Sequence, residues 1–320
     1  MTALRKRRLP AILGQDRFEV AGMASSAGLA PTRWANDLTQ LLDLAKAEDR
    51  YPVDVEQLIL EISRARWPDD PVLGVETQPL KGFEGALVPM RGDLRGWLVI
   101  CNASANEGRR RFTVAHEVGH YLMHRHLLPA DGIYCKVGDL SQRDIRVIEK
   151  EADTFAASLL MPFHDMRRQL DPKAKPTLED LGALAGRYGV SLTALVLRWL
   201  AYTERRAVIV VSTDGYVLWS WSSAAAHRTG RFFRTSGPPQ PIHEASGAAQ
   251  PALADRCRAG IVHPPGVWFD EEVEEYTVHA TAHERVITIL QMGDAAPRWR
   301  PREESEPDVV DRFEALGRRR

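Results

Sequence analysis

Apolar residues recur at helical spacing in two stretches toward the N-terminal end of the chain. Trp34, Leu38, Leu41, Leu42 and Ala45 form one stripe, with Thr32 placed to cap its helix. Val55, Leu58, Ile59 and Ile62 form another after Pro52. The period then changes. Phe83 to Met90 and Gly96 to Cys101 read as short strands, and the near-continuous run Trp97-Leu98-Val99-Ile100 predicts a central one. A helix from about Glu107 to Arg125 carries apolar residues on every side, among them Phe112, Val114, Val118 and Leu122, and is therefore expected to be buried. Residues 129–141 read as an irregular connection. A long helix from about Ser141 to Leu160 follows and stops at Pro162. Residues 177–202 read as two short helices joined at Gly189, the first opened by the capping-box pattern Thr177-Leu178-Glu179-Asp180.

After Glu204 the pattern turns to strands. Val208 to Ser212 and Tyr216 to Trp221 flank Asp214-Gly215, a strong hairpin signal. Tyr276 to Thr281 and Arg285 to Met292 predict a second hairpin, separated from the first by a Pro-, Gly- and Ala-rich stretch. Residues 1–30 lack a core-forming pattern, and Met23 is an alternative start. Residues 297–320 are charged and Pro-rich, with one short helical pattern around Val309 to Leu316.

Composition narrows the function. A chain of 320 residues is long enough for two domains, and 44% hydrophobic with 27% charged residues is ordinary for a globular protein. A formal net charge of -1 gives no broad capture of nucleic acid or anionic membrane. No apolar run approaches the roughly 20 residues of a membrane span. The basic cluster Arg5-Lys6-Arg7-Arg8 has no apolar core behind it and is not a secretory signal. Cys101, Cys135 and Cys257 are scattered, none at CxxC spacing, which fits free thiols in a reducing cytoplasm.

The chemistry concentrates in His116-Glu117-Val118-Gly119-His120, an HExxH pattern on the buried helix. Residues i and i+4 stack on one helix face about 6 Å apart along the axis, so two imidazoles can converge on one zinc ion. Glu117 then lies beside the metal, placed to take a proton from the attacking water. HExxH alone is weak, because it fixes three residues. A His-Glu-His trio inside an apolar helix is stronger, since buried charges want partners. A catalytic zinc needs a third protein ligand. His124 would lie about 12 Å along the axis from His116 and cannot share its ion. No glycine turn follows His120 to bring in a third histidine from further on. Glu149, on the next helix, is the better candidate. Asp153 shares its face at i+4 and can accept the outer N–H of a ligand histidine. Glu151 points about 200° away from Glu149 and is expected to face solvent. Tyr134 and His126 are candidates for stabilising an oxyanion, whereas Tyr121 is expected to pack.

The strings Arg111-Phe112-Thr113-Val114-Ala115-His116-Glu117-Val118-Gly119-His120-Tyr121-Leu122-Met123-His124 and Glu149-Lys150-Glu151-Ala152-Asp153-Thr154-Phe155-Ala156-Ala157-Ser158-Leu159-Leu160-Met161-Pro162 together resemble the ImmA/IrrE family of bacterial metallopeptidases. The resemblance covers about residues 35–200. It implies an α+β chain with a thermolysin-like (gluzincin) core, His116, His120 and Glu149 as zinc ligands, and Glu117 as general base. The position of Asp153 is often Asn in the family. Family members cleave a helix-turn-helix repressor and so switch on a stress response or a mobile element. The longer members carry a C-terminal sensor-like α+β domain.

The expected layout is a leader over 1–30, a zinc metallopeptidase domain over 31–170 and a helix-turn-helix-like segment over 171–204. An α+β sensor-like, GAF-like domain over 205–296 and a charged tail over 297–320 complete it. The expected function is a cytoplasmic zinc endopeptidase that cuts a helix-turn-helix repressor. A regulator or adaptor that binds a repressor or DNA without cutting is the alternative. Direct DNA binding is not favoured, because the helix from Leu192 to Ala201 offers only Thr193 and Arg198 as donors to base edges. Leu192, Val196 and Trp199, if exposed, are candidates for docking a protein partner.

Overall fold

A computed structural model of the chain describes residues 30–45, 50–90, 95–127, 142–235, 237–280 and 285–295. The expected leader, the tail and Tyr134 lie outside these residues. The architecture is mixed α+β and falls into two compact units. One is built from the chain up to Ser104 with Thr113–Leu159, the other from Ala105–Phe112 with the chain from Leu160 onward.

In the first unit, helix α1 (Pro31–Ala45) starts one residue ahead of the expected Thr32 cap, with proline in the first turn where its missing N–H costs nothing. Helix α2 (Val55–Arg66) is capped by Asp54, which accepts from the Gln57 N–H. Three strands follow: β1 (Val72–Gln78), β2 (Gly85–Met90) and β3 (Gly96–Asn102). Their order is β1-β3-β2, so the apolar run of β3 is central as its composition demands. β2 runs antiparallel to β3, and β1 runs parallel to it. The sequence pattern did not single out β1. Its Val72-Leu73-Gly74-Val75-Glu76-Thr77-Gln78 has no clean alternation, and its parallel pairing with β3 makes it a strand.

Helix α3 (Glu107–Gly119) carries the HExxH residues and ends sooner than its apolar pattern predicts. From His120 to His124 the backbone widens into one π-helical turn, and Arg125–Leu127 closes it as a 3₁₀ turn. Helix α4 (Gln142–Leu160) supplies the carboxylates. Two small residues let α3 and α4 approach closely. A Cβ on Gly119 would stand 3.1 Å from Phe155 Cδ1 and 3.2 Å from the Ala152 Cα. Tyr121 is fully buried and donates its hydroxyl to the Asp70 carbonyl at 2.8 Å, so it packs as its position suggests.

In the second unit, helix α5 (Phe163–Gln169) is too short to show a stripe in sequence. Helix α6 (Leu178–Tyr188) has the full capping box between Thr177 and Asp180, and ends at Gly189 with φ 63°, the left-handed region glycine favours. Helix α7 (Leu192–Leu200) is capped by Ser191. Val196 and Trp199 are buried in α7, which overturns the expectation that they form a docking surface; they are core. Arg198 donates to the Met161 carbonyl at 3.0 Å and lies 3.6 Å over the Phe163 ring, so one of the two donors open to base edges is committed to packing.

Strands β4 (Arg206–Thr213), β5 (Tyr216–Ser222), β6 (Ile261–His263), β7 (Val273–Ala280) and β8 (Arg285–Met292) form an antiparallel sheet in the order β5-β4-β8-β7-β6. Asp214 and Gly215 both take positive φ, 51° and 76°, at the β4–β5 hairpin. That pairing matches the right-handed strand twist. Val208, Val210, Leu290 and Met292 share a core with Ala226 of helix α8 (Ala224–Arg228), Ala248 and Trp268. Helix α9 (Ala254–Ala259) precedes β6.

Arg206 is buried and meets Glu271 at 2.5 Å, and Arg231 adds a second ion pair to the same carboxylate. Hydrogen bonds from Arg206, ahead of those from Arg231, hold Glu271 at about 2. Its folded value is thus below the unfolded one. The stability it contributes is present above the ordinary carboxylate range and is lost as pH falls toward about 2. Glu271→Gln is therefore expected to lower the denaturation midpoint at neutral pH and to flatten the acid limb of midpoint against pH.

Candidate metal centre

Helix α3, the π turn and α4 bring six polar side chains together. His116 Nε2 and His120 Nε2 lie 2.9 Å apart, and the Glu149 carboxylate is 3.2 Å from the first and 3.4 Å from the second. These three donors lie within 4.8 Å of one another, the one group among the described residues with metal-ligand spacing. Both rings are turned by their outer nitrogens. His116 Nδ1 is 2.8 Å from Asp153 Oδ1. His120 Nδ1 is 3.1 Å from His124 Nδ1, and His124 Nε2 is 2.9 Å from Glu151 Oε2.

Glu151 corrects one sequence expectation. It does not simply face solvent; it accepts from a histidine that is itself buried. The signal was present in the spacing, because His124 continues the i+4 series from His120. What hid the contact is that it crosses from the π turn to α4, and spacing along either helix does not set how the two meet. His124 is no neighbour of Glu149 in the donor group. His126 sits exposed on the 3₁₀ turn and does not join the donor group either.

Electrostatics favours positive charge at the centre of the group. Burial pushes His116 down, but Asp153, Glu149 and Glu117 outweigh it and lift its pKa to about 10. Burial would raise Glu149, yet hydrogen bonds from His116 and His120 hold it well below the usual carboxylate range. Burial keeps His120 and His124 low, in the neutral form. The acidic surroundings that favour a proton on His116 would equally favour a bound cation. Two neutral imidazole nitrogens and a carboxylate suit zinc, and three ligands leave a position open.

Glu117 stays outside the donor group and is only 6% exposed. Burial lifts its pKa to about 7, with His116 opposing. Its carboxylate lies against the start of β2, where a Cβ on Gly85 would be 2.9 Å from Glu117 Oε1.

Comparison with known proteins follows the same residues. The family model described as the IrrE N-terminal-like domain, a peptidase family, matches residues 72–200. This segment belongs to the ImmA/IrrE family. Both motif strings lie inside it. Over 143 residues the chain is 31% identical to the radiation response metalloprotease IrrE of Deinococcus radiodurans. That match spans 44% of this chain and 40% of the relative's length. A solved structure of a Mycobacterium tuberculosis transcriptional regulator aligns over 82% of this chain and 74% of that one, at 17% identity and a TM-score of 0.47. In this ImmA/IrrE segment β1 begins the match and α7 closes it.

Proposed function

We propose that the chain is a zinc-dependent endopeptidase that cuts a helix-turn-helix repressor and thereby switches on a stress response. The observation that supports it most is the convergence of His116, His120 and Glu149 with a buried Glu117 beside them and outside the donor group. A structural zinc site takes four protein ligands and has no use for an adjacent base. His116, His120 and Glu149 would hold the ion. When bound, it would act as a Lewis acid on a peptide carbonyl and make a nearby water more acidic.

The chain's own groups do the rest. Glu117 takes a proton from the attacking water, and burial that sets its pKa near 7 suits it to both taking and returning that proton. Asp153 accepts from His116 Nδ1 and holds the ring with its other nitrogen toward the ion. β2 is an edge strand with no strand partner on its outer side among the described residues, and we read that edge as the place where an extended peptide pairs. Pairing there would bring the peptide past Gly85 to Glu117. Tyr134 and His126 remain the proposed contributors to oxyanion stabilisation. Residues 205–296 are read as a sensor-like module, and the setting as cytoplasmic. No described helix is long and apolar enough to cross a membrane.

Gly85→Ala tests the approach of β2. Its Cβ would stand 2.3 Å from Thr113 Cγ2 as well as 2.9 Å from Glu117 Oε1. Glu117 or the strand must shift, and a displacement of about 1 Å at a catalytic group costs on the order of a hundredfold in rate. Peptidase activity is expected to fall by at least about tenfold with zinc content unchanged. Unaltered kcat/KM would show that this contact does not set the geometry.

The function itself is tested by incubating the full chain with the repressor encoded nearest to it and reading both proteins by intact mass. One or very few cuts are expected. Repressor left whole while casein is digested at many sites would overturn the proposed substrate. Tight binding of an uncut repressor by the zinc-loaded chain would favour the adaptor reading instead.

A further inference from the structure

His124 and Glu151 have no part in the chemistry above, yet they are joined to a ligand histidine by two hydrogen bonds. His124 is 3% exposed at its side chain, and buried imidazoles are expensive to leave half-satisfied. Its ring centroid lies 5.2 Å from that of His120, the rings tilted by 58°, within the π turn that carries both residues.

We propose that Glu151 and His124 form a positioning relay that fixes His120 in the tautomer whose Nε2 lone pair faces the ion. The inference rests on reading His116, His120 and Glu149 as the ligands.

The direction of the relay follows from donor and acceptor counting. A carboxylate only accepts, so the 2.9 Å contact requires His124 Nε2 to carry the hydrogen. A neutral imidazole has one N–H, which leaves His124 Nδ1 as an acceptor. His120 Nδ1, 3.1 Å away, must then donate to it. A neutral His120 that carries its hydrogen on Nδ1 has its lone pair on Nε2, the atom 2.9 Å from His116 Nε2 and 3.4 Å from Glu149. The same logic runs in one step at His116, where Asp153 accepts directly from Nδ1. The two ligand rings are therefore set by two carboxylates on α4, one adjacent and one through an intervening ring. A carboxylate at position 151 fixes this direction because it only accepts, whereas an amide can either accept or donate. An amide at that position can donate to His124 Nε2, reverse both rings and put a hydrogen on His120 Nε2, where it blocks the ion.

Glu151→Gln in the full chain is the deciding variant. Its side chain is 41% exposed and the change is isosteric, so folding is expected to survive. Zinc affinity, measured by competition with a chromophoric chelator, is expected to fall about 10- to 100-fold, the loss typical of an outer partner to a ligand histidine. In metal-free protein labelled with ¹⁵N-histidine, the wild type should show His120 as the Nδ1–H tautomer, and Glu151→Gln should show a larger Nε2–H share. Glu151→Asp should recover part of the affinity, and His124→Phe, which keeps ring volume without nitrogens, should lose it as Glu151→Gln does. Wild-type zinc affinity retained in both Glu151→Gln and His124→Phe overturns the relay. Failure of the ligand reading looks different: Glu149→Ala would then bind zinc as the wild type does.

Discussion

Replacing His116, His120 or Glu149 with alanine should strip the chain of its zinc. Purified wild-type protein is expected to carry about one zinc per chain, and each variant far less by elemental analysis. Three protein ligands hold a catalytic zinc with no redundancy. Each substitution should therefore weaken binding by more than about a hundredfold, beyond what loss of an outer hydrogen-bond partner costs. The three should not behave alike in folding. His120 is 1% exposed and in contact with two other histidines, so its loss leaves a buried gap and removes the partner of His124 Nδ1. Glu149 is partly exposed on α4, so its removal leaves no buried gap, and the melting temperature of the metal-free chain should fall less than for His120→Ala. Glu149→Ala is thus the cleanest test of the third ligand. Should Glu151→Ala remove the metal outright and Glu149→Ala leave it in place, the third ligand has been misassigned.

Glu117→Gln should show the opposite pattern, with metal and fold retained and peptide hydrolysis lost. Glu117 lies outside the donor group, so the ligands are untouched. Its environment already raises its pKa to about 7, which means that the site tolerates a neutral group of this shape. The amide has no basic oxygen to receive a proton from water. Positioned general bases contribute about a hundred- to ten-thousandfold, and kcat should fall by that order with KM little affected. Thermal denaturation and zinc content measured on the same preparation separate this loss from unfolding. A glutamine variant as active as the wild type would remove Glu117 from the chemistry.

Much of this arrangement is written in short-range pattern. His116 and His120 are four apart on an apolar helix, and Glu149 and Asp153 are four apart on the next, so helical periodicity alone places each pair on one face. The structure brings these four residues into one cluster. The capping box and the β4–β5 hairpin were equally local: Thr177 with Asp180, and Asp214 with Gly215, specify their backbone within a few residues. The two motif strings also sufficed for the family resemblance, because their separation constrains far more than HExxH does.

Tertiary structure decided what depends on distant partners. Strand β1 exists because β3 offers it a parallel ladder, and nothing in its own alternation announces it. Val196 and Trp199 have the periodicity of a surface stripe or of a core face alike, and only packing shows that they are core. The close approach of α3 and α4 depends on Gly119 meeting Ala152, two small residues far apart in sequence whose complementarity appears only once the helices touch. Gly85 reaches Glu117 by the same kind of non-local contact. The π turn is the sharpest case. Periodicity assumes 3.6 residues per turn, which the π turn at His120–His124 breaks, and spacing along one helix does not show that Glu151 of α4 meets His124. Spacing along one helix is a property of the chain itself, whereas the register between helices is set by how their side chains fit, and that is where sequence reading stops.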